Sequence, residues 1–282
     1  MIRIVTDSTC DMPDGQLASL GVTVVPINIH FGTEDYQEGE TLGYAEFFRK
    51  VDSMGIVPKT SQPSPGKFAQ TYRSLAVQGA STILSLHVTG KLSGTVASAQ
   101  MAADMVKDEV DVRVFDSLAG SAGTGFMILE AQDLLAQGAG ADQILARWQE
   151  IRDGLHILFY LDTLRYARMS GRVGALQSTL ASVLQIKPLI RLDDGMLNIA
   201  ERVRTRRAAL SRMLDMMDAQ VGRQAVNLAV VHAADLPSAQ ELMERAQARF
   251  DCRRTYIAPL AASLVTNLGI GTLGIVAYLA GR

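Results

Sequence analysis

Four loops of this sequence combine small hydroxyl residues with glycine or aspartate. They contain Asp7-Ser8-Thr9, Thr60-Ser61, Ser93-Gly94-Thr95 and Asp116-Ser117. Hydroxyl groups and free backbone N–H groups suit a carboxylate or a phosphate, above all next to a helix N-terminus. Because Ser, Thr and Asp are also preferred N-caps, helix capping is the simpler explanation for any one loop. The recurrence of the pattern favours an anion site, with capping as the alternative.

Two known catalytic motifs are absent from the sequence, which gives little support to an enzymatic function. The sequence contains neither a G-x-S-x-G nucleophile elbow nor a G-x-x-x-x-G-K-[ST] phosphate loop. Asp7 and Asp116 are the only candidates for a general base at strand ends, and loop structure explains both. We therefore predict no catalytic residue. An enzyme that acts on a small phosphorylated or carboxylated metabolite at the same loops remains the alternative.

Histidine and cysteine spacing gives no metal site. The four histidines are His30, His87, His156 and His232, and none lies at ligand spacing from another histidine or cysteine. Each is expected to be a packed or surface residue. The two cysteines, Cys10 and Cys252, are far apart in the sequence, which fits a reducing cytoplasm better than a disulfide framework. The first residues, MIRIVTDS, start as a strand without the features of a signal peptide.

Charge and composition restrict the partners. Lys plus Arg is 27 and Asp plus Glu is 29, so the formal net charge is −2, and 48% of the residues are hydrophobic. This apolar content can fill a core, which argues against disorder. The balanced charge argues against a nucleic-acid binder. Five arginines do cluster within 202–212; they indicate a solvated helix start, a docking or phosphate-contacting patch, or less favourably an RNA contact.

The stretch from Thr255 to Gly281 contains no charged residue. A membrane span needs about 20 mostly apolar residues, but Pro259 and several glycines interrupt this run. The G-x-G-x-x-G string at Gly269, Gly271 and Gly274 is followed by only eight residues, too few for a dinucleotide site. We expect a strand, a glycine turn that approaches another segment closely, and a buried helix.

Apolar runs alternate with stretches of helical spacing along the chain. The predicted strands are 2–6, 22–29, 81–88, 110–115, 156–161, 187–192, 196–201 and 226–232. The predicted helices are 44–54, 67–78, 96–106, a helix with Leu210 to Met217 on one face, and a helix with Ala239 to Ala246 on one face; 58–66 is predicted as a loop. This order implies a mostly parallel sheet first and, around the hairpin signal Asp193-Asp194-Gly195, a mixed sheet later. We predict an α/β protein with domains over residues 1–153 and 154–282.

These motifs together resemble the DegV family of bacterial lipid-binding proteins, which includes the fatty-acid-binding subunit of fatty acid kinase. The matches follow family order: TDSTCD at 6–11, KTSQPSPG at 59–66, LSGTVASA at 92–99, DS and a Gly/Ser run at 116–125, SGRVG at 170–174, IKPLI at 186–190, DDG at 193–195, RVR at 202–204 and the glycine turn at 269–274. They span nearly the whole chain. TSQPS together with LSGT is the most specific pair.

The resemblance implies the family fold, a three-layer domain with a parallel sheet followed by a mixed α/β domain, and one long-chain fatty acid such as palmitate as ligand. It implies a carboxylate held by the hydroxyls of Thr60 and Ser93 and by loop amides near Ser61 and Gly94. A separate ATP-using kinase subunit would phosphorylate that carboxylate, and the acyl phosphate would feed phospholipid synthesis. Arg172 and Arg204 would dock that partner. The chain itself would be a cytoplasmic, non-catalytic subunit without cofactor, metal or membrane segment.

One position departs from the family pattern. A histidine that reaches the carboxylate usually precedes the C-terminal glycine turn, and Asn267 stands there in this sequence, with Ile270 in place of a proline. An Asn amide donates a hydrogen bond but carries no proton-dependent charge. A neutral hydrogen bond contributes about 0.5–1.5 kcal/mol, against about 1.5–3 kcal/mol when one partner is charged. We therefore expect weaker head-group binding or a different ligand.

Overall fold

The computed structural model describes residues 1–172 and 187–281 of the chain. Residues 173 and 174 of the SGRVG match and residue 186 of the IKPLI match lie outside this described part.

The first half of the chain contains a parallel sheet and a small antiparallel sheet. Its strands are β1 (Ile2–Asp7), β2 (Thr23–Val25), β3 (Asn28–Phe31), β4 (Glu34–Gln37), β5 (Lys59–Ser61), β6 (Thr82–His87) and β7 (Asp111–Asp116). Its helices are α1 (Gln16–Ser19), α2 (Tyr44–Met54), α3 (Pro65–Val77), α4 (Thr95–Met105), α5 (Ala122–Ala136) and α6 (Ala141–Gly154). Four strands lie parallel in the order β2-β1-β6-β7, as the alternation of strands and helices predicts.

A second, antiparallel sheet of three strands has the order β4-β3-β5. Pro26 inside the apolar run 22–29 suggests an edge or a strand end, and the structure confirms this: β2 is an edge strand that ends at Val25, and β3 begins after Pro26, because proline has no N–H to donate to a ladder. One sequence prediction was wrong here. The segment 58–66, predicted as a loop, contains β5, which pairs with β3.

The second half contains a mixed sheet of six strands. Its strands are β8 (His156–Tyr160), β9 (Lys187–Asp193), β10 (Met196–Val203), β11 (Val226–His232), β12 (Cys252–Pro259) and β13 (Leu273–Leu279). Its described helices are α7 (Arg165–Ser170), α8 (Arg206–Val221), α9 (Leu236–Gln247) and α10 (Ala262–Leu268). The order is β10-β9-β8-β13-β11-β12, with β11 and β12 parallel and the other pairs antiparallel. The β9–β10 hairpin is confirmed; Asp194 and Gly195 turn it with φ of 45° and 75°, as a tight hairpin turn requires.

The C-terminal stretch differs from its predicted order. The chain continues from β12 through the short helix α10 and the glycine turn to β13, so the last element is a strand rather than a helix. The predicted close approach at the glycines is confirmed. A Cβ on Gly269 would lie 2.8 Å from the Tyr166 ring, and a Cβ on Gly274 would lie 2.6 Å from Val231. Helix α10 is too short to contribute a span.

Helices lie on both faces of each large sheet. On one face of the parallel sheet, Val5 and Ile83 pack with residues of α3 and α4. On one face of the mixed sheet, Leu158 and Tyr160 pack with α8 and α9. The other two faces share one core that includes α5 and α6. This core spans the predicted domain boundary at residues 153 and 154, which falls at the end of α6; the division into domains stays a prediction.

Candidate ligand-binding site

A cavity lies where the two large sheets approach each other. Its volume is about 150 Å³. Its apolar walls come from both halves of the chain: Ile27, Val88, Leu92, Ala119, Ile157, Phe159, Leu192, Leu197, Leu264 and Leu268. The cavity is therefore bounded by both sheets, and its walls suit an apolar ligand.

All five residues that the resemblance implies for carboxylate binding line this one cavity. Thr60 and Ser61 come from β5, Ser93 and Gly94 precede the first turn of α4, and Asn267 lies near the end of α10. A Cβ on Gly94 would lie 2.9 Å from the Gln62 side-chain amide, so a larger residue there would displace that side chain. The fold thus gathers groups from three distant segments at one wall. Their role toward a carboxylate stays a prediction.

Helix capping explains little of the four hydroxyl loops. Ser64, not Thr60 or Ser61, caps α3 and accepts from the Lys67 N–H at 3.2 Å. Ser93 does accept from the Thr95 N–H at 3.3 Å, at the start of α4. Asp116 accepts instead from the N–H groups of the neighbouring loops. The residue before α4 is Gly94, and no side chain caps that helix, so the contact of Ser93 is a local turn and not a helix cap.

Asn267 keeps part of its hydrogen-bonding capacity for a ligand. Its Nδ2 donates to the Ser263 carbonyl at 2.9 Å, which uses one of its two amide hydrogens. Ser263 also lines the cavity; its buried hydroxyl lies beside Glu38 without a hydrogen bond of normal geometry. One amide hydrogen of Asn267 and the Ser263 hydroxyl thus remain for a head group.

The two arginines of the resemblance lie in different surroundings. Arg172 is exposed, lines the cavity and donates to the Ser170 carbonyl at 2.6 Å. Arg204 is exposed beyond the end of β10 and does not line the cavity. In the same arginine cluster, Arg212 pairs with Glu201 at 2.8 Å and Arg206 pairs with Asp235. The structure therefore places only Arg172 at the site itself.

A half-buried acid supports the cavity wall behind Ser263. Glu38 accepts from the Ser8 hydroxyl at 2.5 Å and from the Ser263 N–H at 2.9 Å. Desolvation raises the pKa of Glu38, although these hydrogen bonds oppose the change. Glu38 thus fixes the backbone of Ser263 at the edge of the cavity.

A second buried network fixes the loop after β1. Asp7 accepts from His87 Nδ1 and the Val88 N–H, both at 3.0 Å, and from the Thr9 hydroxyl at 2.5 Å. Burial alone would raise the pKa of Asp7, but the hydrogen bond and charge of His87 lower it together with the other donors. The hydrogen bonds of Asp7 are used within the protein, so its role is to hold the loop that carries Thr9 against the cavity.

Sequence reasoning missed two features of this region. Gln62 lines the cavity and stands inside the TSQPS string, which was itself a signal. His30 was predicted to be a packed or surface residue, yet its Nε2 lies 2.9 Å from the Ser61 hydroxyl. The period-two spacing of β3 and a neighbouring strand over 59–61 would have been the signal, but that strand was predicted as a loop.

The part of the chain that the structure describes contains no cluster of three or more His, Cys, Asp or Glu residues arranged for a metal ion. None of its helices is long and apolar enough to cross a membrane.

Known proteins are similar to this chain in sequence and fold over nearly their whole length. A family model described as "Uncharacterised protein, DegV family" matches residues 1–280. A DegV domain-containing protein of Halalkalibacterium halodurans is 32% identical over 279 residues, covering 99% of this chain and 98% of the relative.

Solved structures agree. A structure reported for fatty acid binding of a DegV family protein from Thermus thermophilus is 33% identical with a TM-score of 0.89, covering 99% of both chains. DegV from Bacillus subtilis, described as a fatty acid binding protein, is 29% identical with a TM-score of 0.90 and the same coverage. The predicted α/β architecture, a parallel sheet and a separate mixed sheet, matches these structures. The chain belongs to the DegV family.

Proposed function

We propose that this chain binds one long-chain fatty acid, such as palmitate, in the cavity between its two large sheets. The observation that carries the proposal is the composition of this cavity: ten apolar residues form its walls, and small hydroxyl and amide groups line it beside them. The fatty-acid binding described for the similar proteins from Thermus thermophilus and Bacillus subtilis supports it. A small polar metabolite would leave the apolar walls unused, so the lipid is the better match.

The two kinds of lining have different tasks in this proposal. Burial contributes about 0.8 kcal/mol per methylene, so the acyl chain supplies most of the affinity. The Thr60 and Ser93 hydroxyls, the amides near Ser61 and Gly94, and Asn267 orient the carboxylate. Without a charged donor among these five, the head group adds less affinity than the chain.

The proposal includes a partner. A separate ATP-dependent kinase subunit would phosphorylate the bound carboxylate, and the acyl phosphate would enter phospholipid metabolism. Arg172, exposed at the cavity, and Arg204, exposed beyond β10, would form part of the docking face. In this division of labour the chain presents its ligand and the partner carries out the phosphorylation.

Native mass spectrometry of protein purified from bacteria tests the proposal. We expect an adduct in the mass range of a long-chain fatty acid. The double variant Thr60→Val, Ser93→Ala should bind about 10- to 100-fold more weakly, since it removes two hydrogen bonds of about 0.5–1.5 kcal/mol each. A kinase subunit with ATP should convert the bound acid of the wild type to acyl phosphate, and that of the variant less completely.

Ser74→Ala is a matched control, because Ser74 is an exposed residue of α3. It should bind like the wild type. Absence of any adduct after incubation with fatty acids would refute lipid binding. Unchanged affinity of the double variant would refute the head-group assignment alone.

A further inference from the structure

Three side chains on the small antiparallel sheet form a continuous hydrogen-bonded chain that ends at the cavity. His30 Nδ1 lies 2.6 Å from Asp35 Oδ1, and His30 Nε2 lies 2.9 Å from Ser61 Oγ. The strands explain the geometry. His30 pairs directly with Asp35 across β3 and β4, and Ser61 lies diagonally opposite on β5, where it pairs with Asn28. The three side chains therefore share one face of the sheet.

The partners of His30 determine which of its nitrogens carries the proton. An ionised carboxylate only accepts hydrogen bonds, so Nδ1 donates to Asp35 and Nε2 is left as the acceptor. Ser61 Oγ then donates to Nε2, while it accepts from Asn28 Nδ2 at 3.3 Å. This is the protonation pattern in which a histidine can take a proton from a serine hydroxyl.

The chain of groups reaches from solvent to the ligand cavity. Asp35 is 75% exposed and the His30 side chain is 30% exposed, whereas Ser61 lines the cavity together with Gln62 and Gly94. Gln62 follows Ser61 in the chain and lines the same cavity, so its side-chain amide is a candidate donor to the oxygen of an acyl carbonyl held beside Ser61.

We propose that Ser61, His30 and Asp35 form a nucleophilic triad that hydrolyses activated long-chain acyl esters, oxygen esters or thioesters, bound in this cavity. The proposal rests on the proposed function insofar as the same apolar walls hold the acyl chain. Ser61 and His30 are the catalytic residues, and Asp35 is a positioning residue.

The reaction balances with water as the second substrate. Ser61 Oγ attacks the acyl carbonyl carbon as His30 Nε2 takes its proton; the C–S or C–O bond breaks, and the leaving group receives that proton from His30. Water then attacks the acyl-Ser61 ester as His30 takes one of its protons. The ester bond to Ser61 Oγ then breaks, Oγ receives this proton from His30, and the fatty acid is released.

The exposure of Asp35 limits the rate and the substrate. Water competes for an exposed carboxylate, so the hydrogen bond to Asp35 orients His30 less firmly than one to a buried aspartate would. We therefore expect slow turnover, and only of substrates with good leaving groups. Activated esters and thioesters meet this condition, and amides do not.

The test uses the full-length protein with p-nitrophenyl palmitate and, separately, with the palmitoyl thioester of coenzyme A. We expect release of nitrophenol and of thiol, and an intact-mass increase of one palmitoyl group that peptide mapping assigns to Ser61. Ser61→Ala should abolish both signals. His30→Gln should lower turnover about 100-fold or more, in line with the loss of a general base. Asp35→Asn should lower it about tenfold and alter the pH profile.

Ser74→Ala again serves as the matched control and should behave like the wild type. Fatty-acid occupancy is measured for every variant by native mass spectrometry, which separates the two proposals. Acids bound normally, with turnover equal in the wild type and Ser61→Ala, would overturn the triad and leave the proposed function intact. Acylation mapped to another residue would overturn it as well. Absence of fatty-acid binding in the wild type would instead refute the proposed function.

Discussion

Asp11 is a buried carboxyl group at the contact between the two halves of the chain. It accepts from the Ser121 hydroxyl and, at 2.8 Å, from the Ala261 N–H at the start of α10. Burial raises the pKa of Asp11 well above its usual value, although both hydrogen bonds oppose this change. Between the unfolded and the folded pKa, the folded protein therefore retains a proton at Asp11 that the unfolded chain has released.

This retained proton predicts how stability depends on pH. Because the folded pKa is the higher one, the contribution of Asp11 to stability is complete below the unfolded value of 3.8 and is lost as pH rises through the folded pKa. The difference in unfolding free energy, Asp11→Asn minus wild type, should therefore increase from pH 4 to pH 8. Urea denaturation across this range measures it.

Asp14→Asn is the control for this prediction, because Asp14 is an exposed carboxyl group in the same loop. It should leave the pH dependence unchanged. A difference between Asp11→Asn and wild type that stays constant with pH would contradict the prediction.

The sequence predicted which residues line the cavity better than it predicted which of them touch each other. Thr60, Ser61, Ser93 and Gly94 could be located because they match family motifs, and Asn267 because it stands at the position of the family's histidine. The contact of His30 with Ser61 could not, because the two lie 31 positions apart. Their meeting depends on strand register, which neither segment specifies by itself.

Helix α5 lies between the two large sheets, in the core that both share. A Cβ on its residue Gly125 would lie 2.5 Å from the Tyr256 hydroxyl oxygen and 2.9 Å from the Asp11 carbonyl oxygen. Tyr256 donates to that carbonyl at 3.3 Å and to the Ala122 carbonyl at 3.1 Å. Gly125 thus lets β12 and the loop after β1 approach the helix.

Gly125→Ala should therefore destabilise the protein. Alanine favours a helix over glycine by about 1 kcal/mol, but overpacking a tight contact costs about 1–3 kcal/mol. We expect a net loss of up to about 2 kcal/mol in the free energy of unfolding, measured by urea denaturation. Gly154→Ala, at the end of α6, has nothing within 4 Å of its Cβ position and should change stability by less than about 0.5 kcal/mol. Equal effects of the two substitutions would contradict this account.

Elements with strong periodicity could be predicted, and elements that depend on a distant partner could not. Helix α2 and strand β11 coincide with their predicted ranges, because α2 has an apolar face at helical spacing and β11 is an apolar run of strand length. Strand β5 has three residues and exists through its pairing with β3. The C-terminal β13 lacks alternation because both of its faces are buried in the core, so its apolar run read equally well as a buried helix.

The cavity is a gap between the two large sheets, and polar contacts join its two sides. Thr89 donates to the Gly195 carbonyl at 3.1 Å across this gap, and Lys91 pairs with Asp194 beside it. An acyl chain between Val88 and Ala119 on one side and Phe159 and Leu197 on the other would add apolar contacts across the gap. A ligand bound there should stabilise the whole molecule, because it binds the folded state and not the unfolded chain.

Thermal denaturation with saturated fatty acids of 10 to 18 carbons tests this coupling. At a concentration of 100 times Kd the gain is about 2.7 kcal/mol, which corresponds to a rise in Tm of roughly 5 °C for a chain of this size. Each added pair of methylenes should tighten binding about 15-fold until the cavity is filled. Methyl esters of the same lengths are the matched ligands: they should show the same dependence on length with uniformly weaker binding, since the chain contacts are kept and the carboxylate contacts are changed. A response independent of chain length would contradict the assignment of the apolar walls to the acyl chain.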